Sequence, residues 1–246
     1  YIMQITSEWL TLDTATGSMR CQLFRPHNSN KRYPAILFYS EIFQITAPIA
    51  RTAAMMAGQG FLVLVPEVFH ELNTAGTVLA YDDAGKDKGN ADKWAKPLSS
   101  YDSDNAAMLS YLQKRSDFNG KTGAMGVCIG GHLAFRAALN PAVNAACCLY
   151  ATDLHSNTLP IGSAKQTLDC ASEIQAELLM IWGKQDPHIP AESRAKIYQA
   201  LTQAGCNFSW HEVNAQHAFI RDEGERYDPA LALWVYQQAR ELFQRM

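Results

Sequence analysis

Cys128, Asp186 and His217 are the residues whose types and order equip this chain for nucleophilic chemistry. Cys128 sits in Gly126-Val-Cys128-Ile-Gly130-Gly131, at the end of an apolar run that begins at Gly123. Such a run, broken by Gly-x-Cys-x-Gly-Gly, reads as a strand turning sharply into a helix with a thiol at the apex. Asp186 lies in Gly183-Lys-Gln-Asp186-Pro-His188 and His217 in Asn214-Ala-Gln-His217-Ala-Phe219, each just past a later apolar stretch. An imidazole can take the thiol proton while a carboxylate fixes its tautomer and stabilises the imidazolium. The resulting thiolate attacks a carbonyl carbon. Singly, each residue has a plainer reading: a free Cys packs as a small hydrophobe, Asp before Pro forms a turn, and a loop His is a satisfied polar group. Three placements at successive strand ends, in nucleophile, acid, histidine order, favour chemistry over coincidence.

The elements that must position these residues follow from periodicity. Residues 8–13 and 18–25 alternate apolar with polar and predict an antiparallel pair around Gly17, followed by a polar turn over 26–31. Continuous apolar runs at 35–39, 61–66, 145–151 and 176–182 predict strands covered on both faces, as in a parallel sheet. Residue 128 closes a further strand, and 208–213 forms the last. Helices are predicted over 47–59, 101–114, 130–140, 191–204 and 228–244, two of them stopped by Gly60 and Gly205. Residues 67–100 and 152–172 lack periodicity and predict irregular insertions, the first a rim or lid. Alternating strands and helices without repeat or linker imply one α/β domain over 1–246, a mostly parallel doubly wound sheet with an antiparallel N-terminal hairpin. In such a sheet reactive groups gather at the carboxyl ends of the strands.

The 246 residues are 48% hydrophobic, enough for a large core, and the net charge of −3 with no block of like charge gives no attraction for nucleic acid or an anionic membrane. A small neutral or anionic organic molecule is the expected partner, and the protein is expected to be a monomer or weak dimer. No apolar stretch is long enough to span a bilayer, and the N-terminus has no basic head with a hydrophobic signal region, so a cytoplasmic protein is expected. An opening tyrosine predicts that the natural start lies upstream. Cysteines at 21, 128, 147, 148, 170 and 206 show no C-x-x-C pair and no histidine partners at metal spacing. Reduced thiols are expected, without metal or cofactor.

Gly126-Val-Cys128-Ile-Gly130-Gly131, Glu41-Ile42-Phe43 after an early strand, Asp186 after a late one and His217-Ala-Phe-x-Arg221 together resemble the dienelactone hydrolase (carboxymethylenebutenolidase) family from about Pro34 to the C-terminal helix. The resemblance implies an α/β-hydrolase fold, in which a strained nucleophile elbow lifts the reactive side chain clear of the sheet. It also implies hydrolysis of an enol lactone. Glu41 and Arg221 carry over as an ion pair beside the nucleophile that takes part in its activation. The oxyanion hole implied is the backbone N–H pair of Ile42 and Ile129, the latter at a helix N-terminus.

The chain also departs from the family pattern. Glu67-Val-Phe-His70-Glu71 stands where the family commonly has an arginine, and Glu71 is expected to repel an anionic substrate if it faces the pocket. Gln44 replaces a usual glycine, and Leu149-Tyr150-Ala151 replaces Tyr-Tyr-Gly. The catalytic apparatus is thus expected to be kept and the substrate wall rewritten. His188 is expected to face solvent, His132 to pack or to serve the site, and Trp94 and Tyr101 to line the rim or pin it. A cysteine hydrolase of a small lactone or carboxylic ester, acting through a thiol acyl-enzyme, is the leading reading. A non-catalytic small-molecule receptor and a redox-responsive thiol protein on the same fold are the alternatives.

Overall fold

The computed structural model describes residues 4–27 and 30–246. The opening tyrosine and the middle of the turn expected at 26–31 lie outside them. Eight strands run β1 (Ile5–Thr14), β2 (Gly17–Pro26), β3 (Tyr33–Tyr39), β4 (Leu62–Pro66), β5 (Phe118–Val127), β6 (Val143–Leu149), β7 (Glu177–Gly183) and β8 (Phe208–Val213). They form one sheet in the order β1-β2-β4-β3-β5-β6-β7-β8. The β1–β2 hairpin and the β2–β4 pair are antiparallel, and every pair from β4 to β8 is parallel.

The pattern of burial follows the sequence. Every residue of β4, and every residue of β3 except Pro34, is buried, as strands covered on both faces require. The edge strand β8 has only partly buried and exposed residues. The helices are α1 (Ala47–Gly58), α2 (Asp83–Ala95), α3 (Leu98–Gln113), α4 (Ile129–Ala137), α5 (Ala191–Ala204) and α6 (Pro229–Gln244), with a short 3₁₀ turn at Leu168–Glu173. α4 packs against β3, β5 and β6, and all its residues are buried. Gly205, at φ 70°, ends α5 in the left-handed conformation. Among the described residues no helix is long and apolar enough to cross a membrane.

The 67–100 segment differs from expectation, because it contains α2 and the first turn of α3. α2 is strongly polar, and two glycines fall inside it. Both are needed for close approach: a Cβ on Gly85 would stand 2.0 Å from Ala80 O, and one on Gly89 2.6 Å from Ile42 O. The helix is held by its ends and by charge. Asp82 accepts from Gly85 N–H at 2.7 Å, and Lys93 pairs with Asp153 at 2.9 Å with both side chains largely buried. None of these features produces an apolar stripe at helical spacing.

Candidate active site

The carboxyl ends of β3, β5, β7 and β8 deliver Glu41 and Ile42, Cys128, Asp186 and His217 to one side of the sheet. Cys128 sits between β5 and α4 at φ 60° and ψ −124°, a backbone conformation that a residue with a side chain keeps only when its surroundings enforce it. Glycine neighbours make that turn possible. A Cβ on Gly126 would lie 1.8 Å from Gly130 O, and one on Gly130 would lie 2.2 Å from Tyr39 O. The Cys128 N–H donates to Leu149 O at 3.2 Å, and its carbonyl accepts from the N–H of Gly131 at 3.0 Å and Thr152 at 3.2 Å. The turn is thereby fixed on both sides. Cys128 is only partly buried, whereas Cys21, Cys147 and Cys148 lie in the core, where burial pushes their thiols up.

His217 and Asp186 are both buried and joined through Nδ1 and Oδ2 at 2.6 Å. The second carboxylate oxygen accepts the His188 N–H at 2.8 Å, so the acid is held from two sides. Burial alone would favour a neutral His217 ring. Cys128 and the Asp186 carboxylate outweigh it and push the imidazole up to about 10. Tyr150, at φ 37°, sets its ring edge-on to His217 with centroids 5.0 Å apart.

Glu41 is 3% exposed and meets Arg221 at 3.5 Å. Tyr81, to which sequence reasoning gave no role, joins them. Its hydroxyl lies 3.4 Å from Glu41 Oε2 and 2.6 Å from Thr46 Oγ1, and the Arg221 guanidinium rests 4.2 Å from its ring centroid. The available signal was Asp82, a helix N-cap directly after Tyr81. The Ile42 N–H has no protein acceptor among the described residues. Ile129 begins α4, where helix geometry leaves amides free.

Cys128, His217, Glu41 and Arg221 open on a cleft of about 750 Å³. One wall comes from α2 through Lys86, Asn90, Lys93 and Trp94, the opposite wall from the loop after β6 through Thr152 to Thr158, and Arg226 stands at a further edge. Both insertions therefore shape the cavity. This arrangement can generate a thiolate, supply two amides to an oxyanion and take a substrate of modest size.

The comparisons with known proteins agree with this geometry. The model of the dienelactone hydrolase family matches residues 19–246. The chain belongs to the dienelactone hydrolase family. It is 37% identical to a Saccharomyces cerevisiae protein named "Putative carboxymethylenebutenolidase", over 93% of this chain and 88% of that one. It is 29% identical to the carboxymethylenebutenolidase of Pseudomonas putida, over 79% of this chain and 78% of that one. Among solved structures it is similar to a Klebsiella pneumoniae "Putative Dienelactone Hydrolase", with a TM-score of 0.87 and 22% identity, covering 99% of this chain and 100% of the other. Membership makes the chain a hydrolase, and the fold is the α/β-hydrolase fold.

The departures from the family pattern acquire physical reasons. Gln44 takes φ 68°, the left-handed region that explains a usual glycine there, and its side chain accepts the Phe69 N–H at 3.3 Å. Glu71 does not face the cleft. Its carboxylate accepts the Thr16 hydroxyl at 2.7 Å and lies 2.8 Å from Lys96 Nζ, so it does not repel a bound anion. His70, Glu71 and Asp104 converge closely enough to hold a metal ion, a grouping not expected from spacing. The buried Lys96 ammonium already stands among them, bonded to Asp104 and to Val68 O, and its charge opposes a cation there.

His188 is exposed, as expected, and also lines the cleft, its ring 4.7 Å from that of His217. Partial loss of water where its ring meets the cleft wall, together with the charge of His217, lowers its affinity for a proton. His132 packs: Nδ1 reaches Thr152 O at 3.1 Å and Nε2 reaches Thr167 Oγ1 at 2.7 Å, and burial lowers it to about 4. Trp94 lines the cleft, while Tyr101 is buried against Lys96 and pins α3.

Proposed function

We propose that this chain is a single-domain cysteine hydrolase that opens a small lactone or cleaves a small carboxylic ester through a thiol acyl-enzyme. The observation that carries the reading is the strained Cys128 turn placed beside a His217 that is itself anchored to buried Asp186 at 2.6 Å, with Cys128 and His217 both facing one cleft. The carboxymethylenebutenolidase names of the relatives support a lactone among the substrates.

In this scheme the Cys128 thiolate attacks the substrate carbonyl carbon, forming a C–S bond. The carbonyl π electrons move to oxygen, where the amides of Ile42 and Ile129 receive the negative charge. Collapse re-forms the carbonyl and breaks the C–O bond, and the leaving oxygen takes the proton from the His217 imidazolium. For a lactone, that oxygen stays on the same molecule, and the ring is open. Neutral His217 then takes a proton from water as it attacks the thioester. The C–S bond breaks, the acid departs and the thiolate–imidazolium pair returns. Asp186 holds the ring orientation throughout.

Glu41 and Arg221 act before these steps. Arg221 offers a guanidinium to an anionic substrate group, and that competition loosens Glu41, whose freed carboxylate assists transfer of the Cys128 proton to His217, giving the thiolate–imidazolium pair that begins the steps above. With Glu71 bound outside the cleft, an anionic lactone is compatible with the pocket. Hydrolysis of p-nitrophenyl acetate and of a lactone panel tests the reading. Turnover that disappears in Cys128→Ala supports it, and turnover unchanged in that variant refutes it.

A further inference from the structure

We infer that Tyr81 is a positioning residue that governs the Glu41–Arg221 pair through two separable contacts, its hydroxyl acting on Glu41 and its ring on Arg221. The inference rests on the proposed role of that pair in activating Cys128 and binding substrate.

The hydroxyl has an ordered set of partners. Glu41, as a carboxylate, can only accept, so at 3.4 Å from Glu41 Oε2 the Tyr81 O–H must be the donor. A hydroxyl that donates to Glu41 has lone pairs left for the Thr46 O–H, which lies 2.6 Å away. Thr46 donating to Tyr81 and Tyr81 donating to Glu41 therefore forms a one-way chain that fixes one carboxylate oxygen. The other control on that same oxygen is Arg221 Nη1 at 3.5 Å. Both contacts are long enough for a competing substrate group to change them.

The ring does different work. The Arg221 guanidinium lies 4.2 Å from its centroid, within cation–π range, and Phe43 braces it edge-on with centroids 4.8 Å apart. Arg221 is 15% exposed, so it can face the cleft while its position is set from beneath. Tyr81 immediately precedes Asp82, the N-cap of α2, the helix that forms one cleft wall. It therefore ties that wall to the ion pair. A residue that served only to pack would not require both contacts to fall on the same pair.

Three variants separate the contacts. Tyr81→Phe keeps the ring and removes the donor, Thr46→Val removes the start of the chain, and Tyr81→Leu removes ring and donor together. The substrates are p-nitrophenyl acetate, which is neutral, and the p-nitrophenyl monoester of succinate, which carries a free carboxylate. For Tyr81→Phe we expect kcat to fall about 10-fold on both esters with KM within twofold, and Thr46→Val to show a weaker form of the same change. Tyr81→Leu should add a rise of about 3-fold in KM on the succinate ester alone. Thermal melting of each variant reports whether it is folded. Wild-type kinetics in a folded Tyr81→Phe, or equal KM changes on both esters in Tyr81→Leu, overturn the inference. Absence of Cys128-dependent turnover in the wild type is a different result, and refutes the hydrolase reading beneath it.

Discussion

Replacing Asp186 with Asn tests the part of the site where geometry and electrostatics make the same demand. Asp186 is 3% exposed and lies 2.6 Å from His217 Nδ1. The substitution preserves shape and an acceptor for the His188 N–H, but it removes the negative charge and allows an amide N–H to face Nδ1. The ring then adopts the opposite tautomer, and its Nε2 no longer accepts a proton. The expected loss in kcat/KM is about 1,000- to 10,000-fold. The charge effect gives a second readout. In the wild type the His217 imidazole is pushed up to about 10, because Cys128 and the Asp186 carboxylate outweigh burial. Removing one opposite charge at contact distance lowers such a value by about 1–3 units. The titration of His217, followed by NMR on histidine-labelled protein, should move toward neutral pH, and the alkaline limb of kcat/KM should move with it. Linkage gives the same sign for stability. A raised histidine contributes stability fully below its ordinary 6.5 and loses it as pH rises through about 10. Wild-type stability should therefore fall across that window, and the Asn variant should lose it earlier. A variant titrating near 10 with kcat/KM within 10-fold of wild type would refute the assignment of Asp186 as the partner that sets His217.

Other substitutions have outcomes set by single contacts. Gly130→Ala places a Cβ 2.2 Å from Tyr39 O and should destabilise the fold by about 3 kcal/mol or more, read as a drop in Tm. Gly89→Ala crowds Ile42, with a Cβ 2.6 Å from its carbonyl oxygen. It should cost about 1–3 kcal/mol and lower kcat more than it raises KM, since Ile42 supplies a proposed oxyanion donor. Lys96→Met strips the cation from buried Asp104 and from Glu71. It should destabilise by about 3 kcal/mol while kcat per folded molecule is unchanged, because the cluster lies outside the cleft.

The placement of the candidate catalytic residues was more legible in the sequence than the shape of the cavity, for a physical reason. Cys128, Asp186 and His217 each follow a strand whose buried character shows in a run of adjacent residues. The parallel topology then brings those strand ends together without further information. Gly126 and Gly130 announced the elbow because no other residue fits there. Glu41 and Arg221 were drawn from family resemblance, and the structure does bring them into contact. α2 offered no such local mark. Its glycines meet Ala80 and Ile42, and its Lys93 meets Asp153, 60 residues further along the chain. A helix stabilised by distant partners has no period of its own to read.

The same distinction explains why the sequence left open whether Glu71, a threat to an anionic substrate only if it faces the pocket, does so. Its sequence position, soon after β4, resembles that of a cleft residue, but position after a strand fixes only the start of a loop and not the direction of a side chain. Lys96, at the end of α2, decides the matter: a buried ammonium must be compensated, and Glu71 and Asp104 are turned inward to compensate it. Two of the cations facing the cleft have partners that also face it, Lys93 with Asp153 and Arg221 with Glu41, while Lys86, paired with Asp83, and Arg226 face it as well. A substrate anion at Lys93 or Arg221 therefore competes within an existing ion pair. Selectivity at Arg221 then depends on how firmly its pair is held, which places Tyr81, the residue that contacts both members, closer to substrate choice than its distance from Cys128 in sequence suggests.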